Sequence, residues 1–303
     1  MKQEFIEELL INPSAKVEGL KIYNYVQKSP SSDFYADQFY KNDSLPVKND
    51  QPDFTNVPKE MAEAMAFFKD RLQKDAIIIE LGGSRYQNRS GYPNYIFENY
   101  IPLDISFTSI KGYVDTYDRF GVVADACILP FKDKSVDAVF THTFLEHPLR
   151  PEDVLKEIDR ILKPGGYIVH SDAWNCRWWQ SYGIVGVKKL KELNLKEKTI
   201  YLAAKITEFK LFRQSIIVLK RISNLCFHVK KNNIELKYKK LTPNYNLHLY
   251  IDEDAASSID PLNVMAFYES KNYKSIPKYT FLKKIFFRGL NIYFQKQNIR
   301  PEF

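Results

Sequence analysis

Four stretches of the sequence set acids, glycines and histidines where apolar runs end. IIIELGGS (77–84) puts Glu80, Gly82 and Gly83 straight after three β-branched residues. YIPLDIS (100–106) carries Asp104, and VVADA (122–126) closes on Asp125 and Ala126. SVDAVFTHT (135–143) runs through Thr141 and His142 into LEHP with His147, and YIVHSDA (167–173) holds Asp172. A carboxylate at the carboxyl end of a buried strand is placed to accept both hydroxyls of a ribose. A glycine there, lacking Cβ, lets a ligand lie against the main chain. The G-x-G-x-x-G run that aims a helix N-terminus at a diphosphate is missing. SRYQNRSGYPNYIFENY follows the glycines instead, a polar and Pro-containing start for any helix. A nicotinamide-dinucleotide dehydrogenase is disfavoured on that ground.

The elements needed to position these residues are readable from the pattern. AIIIEL (76–81), 100–106, 122–126, 135–143 and 167–173 read as buried strands. VPKEMAEAMAFFKDRLQ opens a helix at Pro58, and PEDVLKEIDRILKPGG (151–166) reads as a helix ending in Gly165–Gly166. Short apolar strands joined by crossovers predict an α/β fold with a doubly wound, mainly parallel sheet covered on both faces. Residues 1–55 read as an extension or lid, 56–180 as the core, and 181–258 as a basic, largely helical insertion. Residues 259–303 read as a helix, with Asp260 capping it before Pro261, and strands that complete the sheet.

Charge divides the chain. Residues 1–182 hold 21 Lys and Arg against 27 Asp and Glu, while 183–303 hold 23 against 10. The basic half is suited to phosphate on a glycan carrier, an anionic lipid surface or nucleic acid. Cys127, Cys176 and Cys226 lie far apart without a Cys-x-x-Cys pair, which argues against a disulfide framework or thiolate metal site. No apolar run reaches spanning length and the N-terminus makes a poor signal peptide, so the expected location is cytoplasmic.

The string ELGGS, LDIS, ADACILPFKDKSVDAVFTHTFLEH, EIDRILKPGGYIV resembles the class I S-adenosylmethionine-dependent methyltransferases, type 11-like, over roughly residues 70–175. The resemblance implies a Rossmann-like fold with S-adenosyl-L-methionine as cofactor. By position it implies Glu80 and the Gly82–Gly83 backbone at the amino-acid end and Asp104 on the ribose hydroxyls. Asp125 with Ala126 falls on the adenine, and Thr141 and His142 flank the methyl donor. Glu80 and Asp104 have a second reading as capping or solvating residues at strand ends, and Asp125 as the cap of the turn before Leu129–Pro130. YIDEDAASSIDPLNVMAFYESKNY is similar, more loosely, to methyltransferases of polysaccharide and O-chain synthesis, which points to a saccharide hydroxyl.

An alcohol acceptor needs a base, and His142 and His147 follow the fourth strand. His147 with Asp172 orienting its ring is the expected pair. Glu146, His147, Asp252, Glu253 and Asp254 suit a divalent cation by donor type, yet no ligand spacing supports it, and no metal is assigned. Trp174, Trp178 and Trp179 either stack on sugar or seal a core. FLKKIFFRGLNIYF is either a terminal hairpin or an interfacial segment touching a membrane or glycolipid at the inner face. A nucleic-acid methyltransferase is disfavoured by the lack of an N/D-P-P-Y motif, and a noncatalytic scaffold remains the alternative.

Overall fold

The computed structural model describes residues 2–26, 57–83, 92–182, 184, 190–228, 234–244, 254–287 and 289–298. The chain divides into two compact units: Met1–Phe144 with Arg150–Asp172 and Leu290–Phe303, and Leu145–Leu149 with Ala173–Gly289. Strands in chain order are β1 (Ile22–Asn24), β2 (Ile77–Leu81), β3 (Asn99–Asp104), β4 (Gly121–Val123), β5 (Val136–His142) and β6 (Leu162–Ser171). Then come β7 (Tyr238–Lys240), β8 (Ser257–Ile259), β9 (Tyr273–Ser275) and β10 (Asn291–Lys296). Helices are α1 (Gln3–Leu9), α2 (Lys59–Lys69), α3 (Pro93–Ile96), α4 (Phe107–Tyr117) and α5 (Pro151–Ile161). They continue with α6 (Leu195–Glu208), α7 (Lys210–His228), α8 (Pro261–Ser270) and α9 (Phe281–Ile285).

In the first unit the strands stand in the order β1-β4-β3-β2-β5-β6-β10. Every pairing from β1 to β6 is parallel, and β10 returns antiparallel to β6 with Asn291 opposite Ser171. All five residues of β2 are buried, as a strand covered on both faces requires. On one face α2 lays Met61, Ala64, Met65 and Phe68 against Ile78, Tyr100, Phe140 and Val169. Elsewhere α4 packs Ile110, Tyr113 and Val114 with Ile22 and Val123. Fully burying one such side chain contributes about 1.5–3 kcal/mol.

Three boundaries differ from the sequence reading. Residues 3–24 enter the sheet unit, ahead of the expected boundary at 56, because Ile6 and Leu9 of α1 are buried and β1 pairs with β4. Of the segment 1–55 expected as an extension or lid, residues 27–55 lie outside the described residues. The helix expected to run to Gly166 stops at Ile161, since Lys163 precedes Pro164 and is biased to extended backbone. Gly165 and Gly166 belong to β6, where the register with β5 shifts. A Cβ on Gly166 would lie 2.9 Å from the carbonyl oxygens of Asp137 and Lys163, so the close approach of main chain there demands glycine. The tail splits as well: 281–285 is a short helix, and Ile292 and Phe294 of β10 are fully buried.

The second unit contains α6–α9, the antiparallel pair β7–β8, and β9. Asp260 caps α8 through Leu262 N–H at 2.9 Å and receives the Arg221 Nε at 3.1 and 3.0 Å. Arg221 also donates to the carbonyls of Ile285 and Phe287, tying three segments together from a buried position.

Candidate cofactor and active site

The acids that end β2 and β3 and follow β4 come from neighbouring strands at one edge of the sheet. Glu80 is buried, and its carboxylate accepts a hydrogen bond from the Tyr100 hydroxyl two residues along β3 from the register partner Pro102. Burial, and then the Glu80 charge, hold the Tyr100 phenol well above its usual range. Tyr100 is therefore a permanent donor that fixes the Glu80 side chain.

Asp104 accepts from Ser106 N–H at 2.8 Å, and Asp125 accepts from Cys127 N–H at 2.8 Å. Both are Asx turns, which bring the chain out of a strand while keeping the carboxylate at its end. The turn-capping reading of Asp125 is thus realised in the structure, and it extends to Asp104. Ser106 in turn caps α4 through Ser109 N–H. Ala126 is buried beside Asp125. The Cys127 thiol is pushed up to about 12 by burial and by Asp125, so it is not a thiolate nucleophile at neutral pH.

The glycines are explained by the protein's own packing. Gly82 and Gly83 both donate their N–H to Leu103 O, at 2.9 and 3.0 Å. Gly82 has φ +73°, and a Cβ there would meet the Phe144 ring at 2.6 Å. A Cβ on Gly83 would meet Pro102 Cβ at 2.8 Å and the Glu80 carboxylate at 2.9 Å. The bare backbone expected to lie open to a ligand is covered on these sides by Phe144, Pro102 and Glu80.

Behind this edge sits a buried polar cluster. Thr141 Oγ1 lies 2.8 Å from His170 Nδ1 and donates to Asp172 Oδ2 at 2.7 Å. A hydroxyl has one proton, so His170 Nδ1 carries the hydrogen in the other bond. Burial pushes His170 down to about 3, which keeps its ring neutral. Asp172 Oδ1 accepts from Phe144 N–H at 3.0 Å. Between them Thr143 has φ 47°, unusual for a β-branched residue, and its N–H bonds Ser171 O. Asp172 thus holds the turn that brings Phe144 onto Gly82. His142, half-buried, is tilted against Phe140 with ring centroids 6.2 Å apart.

His147 belongs to the second unit. Its Nδ1 lies 3.2 Å from Asp254 Oδ2 and its Nε2 lies 3.7 Å from Glu146 Oε1, both acids being buried. The Glu146 carbonyl receives Ala256 and Ser257 N–H, fixing this segment to the start of β8. The carboxylate beside His147 is therefore Asp254, while Asp172 serves Thr141 and Phe144. Asp252 and Glu253 lie outside the described residues, and among the described residues no group of three or more His, Cys, Asp and Glu is arranged to hold a metal. The tryptophans divide: Trp179 is buried with the Arg177 guanidinium over its ring, whereas Trp178 is 38% exposed and meets Tyr182 edge-on.

Sequence reasoning missed Tyr100, Phe144 and His170, and it grouped Asp254 with His147 by donor type without pairing the two. His170 and Asp172 share one face of a strand by their spacing of two, a signal present in VHSD. Tyr100, Phe144 and Asp254 meet their partners through register or folding, which no local pattern encodes.

Residues 80–170 match the family described as "Methyltransferase domain". The chain is 37% identical over 75 residues to a malonyl-[acyl-carrier protein] O-methyltransferase of Marinomonas sp. (strain MWYL1), covering 23% of this chain and 28% of that protein. It is 49% identical over 59 residues to squalene methyltransferase 1 of Botryococcus braunii, covering 20% and 14%. The matches thus span less than a third of either relative. The solved structure of the PH0226 protein from Pyrococcus horikoshii OT3 aligns at 24% identity over 48% of this chain and 60% of its own, with a TM-score of 0.33. The segment that matches the methyltransferase-domain family, residues 80–170, is thus the part of the chain that carries the end of β2, the parallel strands β3, β4 and β5, and most of β6.

Proposed function

We propose that this chain transfers a methyl group from S-adenosylmethionine to an oxygen of a small-molecule acceptor, and that the acceptor is a sugar hydroxyl on a phosphate-bearing carrier. The observation carrying the reading is the row of acids, Glu80, Asp104 and Asp125, on adjoining strand ends inside the segment that matches the methyltransferase family. An acceptor-rich carboxylate set suits a ligand that offers an ammonium, two ribose hydroxyls and an exocyclic amine. Bound, the cofactor supplies a methyl carbon activated by a sulfonium, with a neutral sulfide as leaving group.

This chain's own residues do the rest. Glu80, held by Tyr100, accepts from the ammonium end; Asp104 accepts from the ribose hydroxyls; Asp125 and the Ala126 main chain meet the adenine edge. Thr141 and His142 set the turn after β5, with Asp172 as a positioning residue behind them. His147 Nε2 takes the acceptor's hydroxyl proton, while Asp254 holds Nδ1–H and so fixes the tautomer. The basic back half and the exposed Trp178 and Tyr182 favour a phosphorylated saccharide, since aromatic faces and cations suit that pairing.

Calorimetry with S-adenosylhomocysteine tests the donor site, and labelled methyl transfer to a panel of carrier-linked saccharides tests the acceptor. Asp104→Ala is expected to weaken binding by roughly 10–100-fold, the worth of charge-assisted hydrogen bonds. His147→Ala is expected to keep binding while turnover falls about 10²–10⁴-fold, with Asp254→Asn falling less. Absence of micromolar binding by the full chain sinks the enzymatic reading in favour of a scaffold. Turnover unchanged in His147→Ala removes the base.

A further inference from the structure

The second unit turns large apolar side chains to water in an ordered way. On α6, Leu195, Leu202 and Ile206, with Phe209 at its C-cap, are 81, 62, 53 and 64% exposed. Their spacings of seven, four and three residues place them within about 60° of one another around the helix, at ~100° per residue. Ala204, on the opposite side, is fully buried. The helix therefore has a buried face and, opposite it, an apolar face that is exposed to solvent. The next helix continues the feature, with Ile216 and Leu219 of α7 at 48 and 67% exposed and Lys220 exposed beside them. α6 and α7 pack on each other.

Charge identifies the occupant. Residues 209–231 contain six Lys and Arg and not one Asp or Glu. One of these, Arg221, is committed inside the unit to Asp260. Lys198 and Lys205 flank the α6 stripe along one edge by their helical positions, and both are exposed. Glu197 is turned back to the Asn194 N–H in a capping box. A stripe of large apolar residues bordered by lysines fits an interface where hydrocarbon meets negative charge. A second copy of the chain would set cation against cation. No helix among the described residues is long and apolar enough to cross a membrane, so contact is at the surface.

We propose that the exposed face of α6 and α7 docks this chain onto an anionic phospholipid surface, with Leu195, Leu202, Ile206 and Phe209 at the acyl boundary and the flanking lysines among the headgroups. This stands apart from the donor site, and its test needs no turnover. The full chain is sedimented with vesicles of phosphatidylcholine alone and with about 30% phosphatidylglycerol, at low and high salt, the range over which surface electrostatics are screened. Binding is expected only with the anionic vesicles and weakens with salt. Leu202→Ser/Ile206→Ser is expected to lower partitioning roughly tenfold or more. Lys198→Glu/Lys205→Glu, which leaves the stripe intact, is expected to abolish the preference for anionic lipid. Both pairs are exposed, so unchanged thermal midpoints accompany these losses. No binding to anionic vesicles, or binding by either variant equal to that of the unaltered chain, overturns the proposal. So does a dimer in sedimentation velocity that the serine variant abolishes while vesicles go unbound.

Discussion

Polar and apolar residues change places between the two units. In the sheet unit Glu80, Thr141, His170 and Asp172 are buried, each with a partner of its own unit at hydrogen-bond distance. In the helical unit Leu195, Leu202 and Leu219 stand in solvent among lysines. A parallel sheet covered on both faces buries everything along its strands, so polar groups survive only where strands end and turns need holding. The helical unit buries Leu262, Val264, Met265, Phe267 and Tyr268 of α8 and pairs Arg221 with Asp260, while α6 and α7 leave large apolar side chains in solvent. The donor-site proposal rests on the first kind of residue and the lipid-surface proposal on the second.

The comparison breaks first in the core. Phe68→Ala removes a fully buried ring from the cluster under β2 and β5, and unfolding in urea is expected to show a loss of about 3–5 kcal/mol. A loss below about 1 kcal/mol would mean that α2 is not part of the cooperative core.

The buried histidine gives the next effect. His170 ordinarily titrates near 6.5 and is held down to about 3 here. The unfolded chain therefore binds the proton first, and stability falls as pH drops from about 6.5 toward 3, by at most about 1.4 kcal/mol per pH unit for one proton. Above 6.5 this contribution is constant. His170→Phe is expected to flatten that part of the pH–stability curve, as read from thermal midpoints across the window. An unchanged slope would locate the acid sensitivity elsewhere.

Asp172→Ala leaves the Thr141 hydroxyl and Phe144 N–H without their acceptor, for an expected cost of about 1–3 kcal/mol. Weakened binding of S-adenosylhomocysteine beyond that seen with Thr141→Val would tie the turn itself to the donor site. At the small end, Leu219→Ser on the helical unit is expected to shift stability by no more than about 0.5 kcal/mol. A large loss there would mean the exposed face is part of a fold interface.

Strand content, the α/β plan and the row of strand-end acids were legible in the sequence, because each is a local pattern. Three β-branched residues before Glu80 can only be a buried strand, and Asp260 before Pro261 can only be a cap worth testing. The end of α5 was misplaced by a few residues because Pro164 acts on the residue before it as well as on itself. The pairing of His147 with Asp254 was legible only as a shared donor type. Asp254 lies 107 positions along the chain and belongs to an acidic run that reads as solvated.

The sequence by itself determined which residues are acids at strand ends and that the back half is basic. Those follow from composition and from periods of two and 3.6, which neighbouring residues enforce without help. Only the tertiary structure decided that Phe144 covers Gly82, that Asp172 holds the turn through Phe144 N–H, and that the leucines of α6 face water. Register and the docking of distant segments set those contacts, and both depend on the whole chain finding its minimum together.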